Sequence, residues 1–233
     1  MAIYSPIGVG YVHIPKTGGT SIRNWFLENI PKTVSYIPNH FRASVLCERH
    51  KDIDFLFATV RNPWSRAVSR WRHLKRRAEK IGIAKKKYTR RYKIFQNMTF
   101  KEYIDFQKKM TFEYFIDFYS EAINSKNNNR REEVLSNNPD IPASKTEINW
   151  RMLSPQITWL DRPINYIMKL ENIDKDFKKI QDMFNCHIAL PKNNQHNHGN
   201  KDDYKLFYNE HTKNKIAKIF EKDIETFKYR FEE

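Results

Sequence analysis

The sequence predicts an α/β domain with a mainly parallel central sheet flanked by helices. Short apolar segments rich in β-branched residues alternate with segments whose apolar residues recur at helical spacing. This alternation is typical of a parallel sheet with crossover helices. A length of 233 residues is sufficient to bury the core of one such domain.

Four apolar segments are predicted as strands. They are short and are bounded by glycine or polar residues, which is typical of strands and not of helices. They lie at residues 7–14 (IGVGYVHI), 33–37 (TVSYI), 54–60 (DFLFATV) and 164–170 (INYIMKL).

The helices are predicted between and after these strands. Pro63 suits the first turn of a helix, where its missing N–H costs nothing. Asn172 or Asp174 is placed to begin an amphipathic helix later in the chain. The predicted helices are residues 21–30, residues 40–50, a segment beginning at Pro63, residues 172–184 and the tail at 203–231.

The whole chain, residues 1–233, is predicted to form a single domain with a helical insertion at about residues 75–150. Around the start of this insertion, residues 72–93 contain one acidic residue among many lysines and arginines. Aromatic-rich helical segments follow at residues 100–119, and a polar loop follows at 124–142. We expect these segments to belong to the central domain and not to form a second domain.

A formal net charge of +15 favours an anionic partner, without distinguishing nucleotide, glycan, nucleic acid or membrane surface. No apolar run approaches the roughly 18 residues of a membrane span, and the N-terminus lacks a signal-peptide pattern. Cys47 and Cys186 are too few for a disulfide framework or a zinc site. We therefore expect a cytoplasmic location, or the Golgi lumen if the chain is the soluble part of a longer precursor.

The first chemical motif is HIPKTGGTS, residues 13–21, between a predicted strand and a predicted helix. Unpaired N–H groups at a helix start attract anions, and Gly18 and Gly19 allow the backbone to approach an oxyanion closely. Lys16 adds a positive charge, and the hydroxyl groups of this motif add donors. The motif therefore predicts a phosphate-binding loop, although its lysine precedes the glycines, unlike the nucleotide triphosphatase motif.

The second motif is VRNPWSRAVS, residues 60–69, at the end of another predicted strand. Arg61 ends this strand, which is a usual position for ligand-binding groups in an open parallel sheet. Ser69 follows on the predicted helix. An arginine fork and a hydroxyl group there suit a second phosphate.

Together, the two motifs resemble those of sulfotransferases that use 3′-phosphoadenosine 5′-phosphosulfate (PAPS), in particular the carbohydrate and Golgi-type branch and its bacterial relatives. The later blocks SPQITWL, INYIMKLENIDKDF, LPKNN and FEKDIETFKYRF follow in the order seen in that family. The resemblance implies a fold akin to the P-loop nucleotide kinases. It also implies PAPS as co-substrate, PAP as product and no metal.

The same resemblance implies the roles of individual residues. Arg61 and Ser69 would hold the 3′-phosphate of the nucleotide. Lys16 would also offset charge on the leaving phosphate. The residues that would surround the 5′-phosphosulfate are Lys16, Thr17, Gly18, Gly19, Thr20 and Ser21.

A hydroxyl acceptor needs a base, and histidine suits this role at neutral pH. We select His40, in YIPNHFRAS, because members of the branch often carry a histidine there, and Glu171 is the second choice. His13 is interpreted as a structural residue of a buried strand. His196 and His198 lie on a polar loop, and without an evident third ligand they do not predict a metal site.

The prediction is a sulfotransferase that acts on a hydroxyl group, with a carbohydrate of anionic character as the expected acceptor. Two alternatives remain open from the residues alone. One is a P-loop-type nucleotide or small-molecule kinase. The other is a basic nucleic-acid-binding module that uses residues 72–93, with Tyr88 and Tyr92 as stacking groups. The same basic segment also suits an anionic glycan.

Overall fold

The computed structural model describes residues 2–5, 7–30, 35–37, 40–80, 111–124, 154–191 and 201–232. Several predictions concern other residues and lie outside this part of the chain. They are the basic segment beyond residue 80 with Tyr88 and Tyr92, most of the polar loop at 124–142, and the pair His196 and His198.

Five strands form one sheet in the order β3-β1-β2-β4-β5 within the described residues. Strand β4 pairs in parallel with β2 and with β5, whereas β1 is antiparallel to both β2 and β3. The predicted α/β class with a parallel core is therefore confirmed, and each predicted strand is present in a shortened form. The strands are β1 Ala2–Ser5, β2 Val9–Val12, β3 Ser35–Ile37, β4 Phe55–Val60 and β5 Tyr166–Lys169.

Strand β1 was not predicted. It has only four residues, which is too few for a clear alternation of apolar and polar side chains. Its place in the sheet comes from a hairpin with β2, in which Ile3 lies opposite Tyr11. The connection includes Gly8, whose φ of 79° lies in the left-handed region that glycine adopts without strain.

Helices cover both faces of the sheet. The helices are α1 Gly19–Asn29, α2 Ala43–Arg49, α3 Pro63–Lys80, α4 Phe112–Asn124, α5 Ile173–Asp176, α6 Lys178–Met183, α7 Glu210–Ile219 and α8 Glu221–Phe227. Short 3-10 helices lie at Gln156–Trp159, Leu170–Asn172 and Lys201–Phe207. None of the described helices is long and apolar enough to cross a membrane.

Three helix predictions need correction. The helix predicted for residues 172–184 is divided at Phe177 into α5 and α6. The helix predicted for residues 40–50 begins at Ala43, so His40 lies in the connection between β3 and α2. The tail predicted as helical is divided into the last 3-10 helix, α7 and α8. The capping box of Asn209 and Thr212 starts α7 separately, because each residue's side chain accepts from the other's backbone N–H.

The core has one layer on each side of the sheet. On the first side, Trp25 and Phe26 of α1 pack with Phe57 of β4. On the second side, the buried residues of α3 pack against the alternate residues of β4, such as Leu56 and Ala58. This alternation within β4 is the two-residue period of a strand that is buried on both faces.

Helix α4 also belongs to the core, although it lies within the predicted insertion. Phe112 is 5% exposed, and its ring lies 5.6 Å from that of Trp71 and 4.8 Å from that of Tyr208. Phe115 and Ile116 are buried in the same cluster. This part of the segment at 75–150 therefore contributes to the central hydrophobic core.

Replacing Phe112 should test this contribution. Phe112→Ala should lower the free energy of unfolding by about 3–5 kcal/mol, because it removes a buried ring and leaves a cavity. Tyr114→Ala on the same helix is the matched control, since Tyr114 is 47% exposed and its loss should change stability by less than about 0.5 kcal/mol. Urea unfolding of both variants checks the prediction, and equal losses would contradict it.

Candidate active site

The two sequence motifs meet at one edge of the sheet. Because β2 and β4 are parallel neighbours, their carboxyl ends lie at the same edge, where ligands of such sheets bind. A guanidinium N–H of Arg61, after β4, donates to the carbonyl oxygen of Lys16, after β2, at 3.4 Å. The structure thus joins the two predicted loops directly.

The first loop has an unusual backbone. Lys16 has a φ of 70° and Gly18 a φ of 85°, and α1 begins immediately afterwards at Gly19. A left-handed conformation is uncommon for lysine and marks a functional candidate. At Gly18 a Cβ atom would lie 2.5 Å from Cδ1 of Leu170, so the end of Leu170 would have to shift, and the φ of 85° disfavours any residue other than glycine.

The hydroxyl groups of this loop differ in what they face. The hydroxyl group of Thr17 is buried and donates to the carbonyl oxygen of Ile14 at 2.8 Å. Thr17 therefore supports the shape of the loop from inside. Thr20 and Ser21 lie in the first turn of α1 and are half-buried, at the helix end where N–H groups attract anions.

The second loop is held by a helix cap. The side-chain oxygen of Asn62 accepts from the backbone N–H groups of Trp64 and Ser65 at 3.1 and 3.2 Å, which starts α3 at Pro63. The amide nitrogen of Asn62 donates to the carbonyl oxygen of Arg230 at 2.8 Å. The cap therefore also joins this loop to the end of the described chain.

The backbone of Arg61 is fixed by a residue that the sequence did not reveal. The side chain of Gln156 accepts from the N–H of Arg61 and donates to its carbonyl oxygen, both at 2.8 Å. The guanidinium group of Arg61 donates from two nitrogens to the hydroxyl oxygen of Ser65, at 2.8 and 3.0 Å. Among the described contacts, this guanidinium group binds Ser65 and not Ser69, which lies one helical turn further along α3.

A buried charged network lies behind both loops. Arg66 is completely buried and donates to the carbonyl oxygens of Pro15 and Ser154, both at 3.0 Å. Asp223 is also completely buried and accepts from the backbone N–H groups of Gln156 and Ile157, at 2.7 and 2.9 Å. Burial raises the pKa of Asp223, and the charge of Arg66 opposes this shift.

The site concentrates positive charge. Burial, with the nearby charges of Arg61, Arg70 and Arg76, lowers the pKa of Lys16 to about 7. Burial also lowers the pKa of Arg61, although the carboxylate of Glu171 partly compensates. Cations placed close together disfavour one another's charge, and an anion bound among them would relieve this repulsion. The arrangement therefore suits a strongly anionic ligand.

His40 lies beside the first loop. Its Nδ1 lies 2.8 Å from the carbonyl oxygen of His13. A carbonyl group only accepts, so Nδ1 carries the hydrogen, and Nε2 is the basic nitrogen of the neutral ring. The ring of Trp159 meets His40 edge-on with centroids 6.1 Å apart. This geometry orients His40 with its basic nitrogen directed away from the His13 carbonyl.

Glu171, the second choice as base, is placed differently. One carboxylate oxygen accepts from the backbone N–H of Asn62 at 2.8 Å, and the other accepts from the hydroxyl group of Tyr229 at 3.2 Å. Burial and the neighbouring Glu171 raise the pKa of Tyr229, so its hydroxyl group remains a donor. These contacts give Glu171 a part in supporting the Arg61 loop.

Within the described residues, no group of three or more His, Cys, Asp or Glu side chains is arranged to hold a metal ion. The protein-family comparison decides the class of the protein, since the model of the sulfotransferase family matches residues 6–230. The chain belongs to the sulfotransferase family. No curated protein and no solved structure matches it significantly.

Family membership confirms the predicted enzyme class. The sulfotransferase transfers a sulfuryl group, for which PAPS is the general donor of the family. This result decides against the kinase and the nucleic-acid-binding module that the residues alone left open. The matched range also includes the segment at 75–150, which had no recognised counterpart in the sequence interpretation.

The charge cluster predicts an unusual titration of Lys16. Its amine should become reactive toward an acylating reagent with a midpoint near pH 7, well below the ordinary lysine value of 10.5, because burial and neighbouring cations disfavour its charged form. Since the unfolded chain then binds the extra proton between about pH 7 and 10.5, this group's contribution to the free energy of unfolding rises with pH across that window.

Mass spectrometry of the acylated protein over a range of pH measures this midpoint, with exposed lysines of the same sample as internal controls. Added inorganic phosphate should move the midpoint of Lys16 upward, because a bound anion favours the ammonium form. A midpoint near the ordinary lysine value without phosphate would contradict the prediction.

Proposed function

We propose that this sulfotransferase transfers the sulfuryl group of PAPS to a hydroxyl group of a carbohydrate acceptor. The observation that supports this proposal best is the contact between Arg61 and the Lys16 loop, which brings two cationic motifs to one sheet edge. PAPS carries anionic groups at both its 5′ and 3′ ends. Two adjacent cationic loops match that distribution of charge.

In this proposal the first loop binds the 5′-phosphosulfate. Gly18 and Gly19 carry no side chain and so let the loop backbone approach the anion closely, and Thr17 keeps the loop in shape from within. The N-terminus of α1, which begins at Gly19, adds a favourable dipole, and the N–H of Ser21 donates to the carbonyl oxygen of Gly18 at 3.0 Å and closes the turn into this helix. Lys16 is half-buried beside this helix end.

The second loop binds the 3′-phosphate. Arg61 supplies the charge, and Ser65 holds its guanidinium group in place. Ser69 lies one turn further on the same face of α3, and we assign it as the hydroxyl ligand. Arg61 is a suitable ligand because its planar fork matches two phosphate oxygens.

Lys16 has a second role during transfer. When the bond to sulfur breaks, negative charge grows on the phosphate that remains with the nucleotide. PAPS supplies the reactive sulfuryl group when bound. The ammonium group of Lys16 stabilises the developing charge. The bound phosphosulfate, as a nearby anion, keeps this amine protonated at neutral pH.

His40 removes the proton of the acceptor hydroxyl group in this mechanism. Its Nδ1–H donates to the His13 carbonyl, which leaves Nε2 as the proton acceptor. The side chain lies on the connection between β3 and α2, next to the first loop. The side chain of Asp161 binds both the N–H and the hydroxyl group of Ser44 at the start of α2, at 2.9 and 2.7 Å, which steadies this connection.

A carbohydrate acceptor of anionic character suits the surface beyond the nucleotide loops. Arg72 lies over the ring of Phe207 at 4.7 Å, and Lys75 lies over that of Trp71 at 5.0 Å. These cations extend the positive face of α3 beyond the predicted phosphate ligands. Cys47 and Cys186 are free thiols, which favours a reducing compartment, and we propose a cytoplasmic location.

The assignment of Arg61 predicts a difference between two nucleotides. Arg61→Ala should weaken binding of PAP by about 1.5–3 kcal/mol, the usual contribution of a hydrogen bond to a charged group. Binding of 5′-AMP, which lacks the 3′-phosphate, should change much less. Calorimetry with both nucleotides measures this difference, and equal losses would refute the assignment.

Three further variants sharpen that experiment. Ser69→Ala should also weaken binding of PAP more than binding of 5′-AMP, as expected of a direct ligand of the 3′-phosphate. Ser65→Ala should have a smaller effect, since Ser65 acts through Arg61. Lys222→Ala removes an exposed cation of α8 and serves as the control for net charge.

The assignment of His40 predicts a loss of turnover without a loss of nucleotide binding. His40→Ala should lower turnover by roughly 10²–10⁴-fold, which is the usual contribution of a positioned base. PAP should bind with nearly unchanged affinity, because His40 faces the acceptor.

Transfer of labelled sulfate from PAPS to a panel of glycan, lipid and phenolic acceptors measures this loss and also identifies the acceptor. His187→Ala is the matched control, because His187 is an exposed histidine paired with Asp182. Near-wild-type turnover of His40→Ala on the best acceptor would exclude His40 as the base.

A further inference from the structure

The imidazole ring of His13 lies between the two parts of the proposed active site. His13 is the first residue of the first motif, two positions before Pro15, and it is only 5% exposed. On one side the ring contacts the start of α1. On the other side it contacts the ring of His40.

The contact with α1 is tight. A Cβ atom on Gly19 would lie 2.1 Å from both Cδ2 and Nε2 of His13 and 2.5 Å from its Cε1. The ring therefore occupies the space that any side chain at position 19 would need. The edge of the ring lies against the backbone of the first loop at Gly19, where α1 begins.

The contact with His40 has two components. The carbonyl oxygen of His13 accepts from Nδ1 of His40, and the two rings lie 4.6 Å apart between centroids. On the strand side, the ring of Tyr11 lies 5.8 Å from that of His13. His13 is thus packed between fixed neighbours and has little freedom to move.

The ring is also electrically neutral. Burial, and then the nearby His40, holds the pKa of His13 well below the usual value for histidine. Its buried Nδ1 has no hydrogen-bond partner among the described residues. A buried nitrogen without a partner destabilises the fold, so the stability of the domain does not account for a histidine here.

We propose that His13 is a positioning residue whose ring sets the spacing between the phosphosulfate loop at Gly19 and the base His40. This inference rests on the proposed function, because it presupposes that the loop binds the donor and that His40 accepts the proton. In-line attack on sulfur requires the donor-binding loop and His40 to keep a fixed position relative to the acceptor oxygen. A rigid ring that contacts both elements supplies that register.

The first test is a double-mutant cycle between His13 and Gly19, read as PAP affinity by calorimetry. Gly19→Ala should weaken PAP binding by about 10–100-fold, because the added methyl group overlaps the ring and displaces the helix start. Adding His13→Ala should restore at least about tenfold of that loss, since the two positions are coupled. His13→Ala alone should weaken PAP binding by less than Gly19→Ala does, because it removes a packing contact without adding volume at the start of α1.

Gly18→Ala is the matched control for this cycle. A side chain at Gly18 meets Leu170 and not His13, and the φ of 85° is itself unfavourable for alanine. His13→Ala should therefore fail to restore PAP binding to Gly18→Ala. Additive effects at His13 and Gly19, or equal rescue of both glycine variants, would overturn the proposal.

The second test is a cycle between His13 and His40, read as turnover on the best acceptor at saturating PAPS. His13→Ala should lower turnover by about 10–100-fold, because His40 loses its packing surface. In the His40→Ala background the same change should lower turnover by less than about twofold, because no base remains to be positioned. A residue with a merely structural role would lower turnover equally in both backgrounds, which would overturn the proposal.

The two cycles separate this inference from the proposed function. If wild-type protein bound no PAP and transferred no sulfuryl group from PAPS, the proposed function would fail. If wild-type protein were active but neither cycle showed coupling, only the role of His13 would fail. Should Gly19→Ala not fold, the His13 and His40 cycle decides alone, since neither of its changes adds volume.

Discussion

The structure around the active site depends on the burial of two opposite charges, those of Arg66 and Asp223. Neither side chain is exposed, and both are satisfied mainly by backbone groups of other elements. A buried charge is tolerated only when hydrogen bonds replace its lost water. This requirement constrains the path of the chain at Pro15 and at residues 154–157, because these segments must present carbonyl or N–H groups to the charges.

That constraint explains how the cationic face can exist. Residues 154–157 hold the Arg61 backbone through Gln156, while Arg66 holds the adjacent end of the Lys16 loop through the carbonyl oxygen of Pro15. Lys16 and Arg61 therefore stay close together even though their charges repel. Burial and, after it, this repulsion lower the pKa of Lys16, and a bound anion offsets the part that is due to repulsion.

Much of this arrangement could be predicted from the sequence, because the information is local. Each of the predictive features is a short run of neighbouring residues: the apolar segments of β2 and β4, and the glycine pair after β2. From these runs Lys16 and Arg61 were predicted at the ends of two strands, and the structure brings them to one sheet edge. The partners of these residues could not be predicted. Gln156 binds Arg61, and Glu171 binds Asn62, across sequence separations of 95 and 109 residues. A lone glutamine or glutamate carries no local signal of such contacts.

The distribution of these contacts along the chain has a consequence for the order in which the enzyme is assembled. Every side chain proposed to bind the nucleotide lies in the first part of the chain, before the end of α3. The groups that hold Arg61 and Asn62, namely Gln156, Glu171 and the carbonyl of Arg230, lie far downstream. During synthesis the nascent chain therefore exposes a dense cluster of cations before the segments that organise it have been translated. Formation of the binding site must wait for these long-range contacts, and contacts of large sequence separation are associated with slow folding.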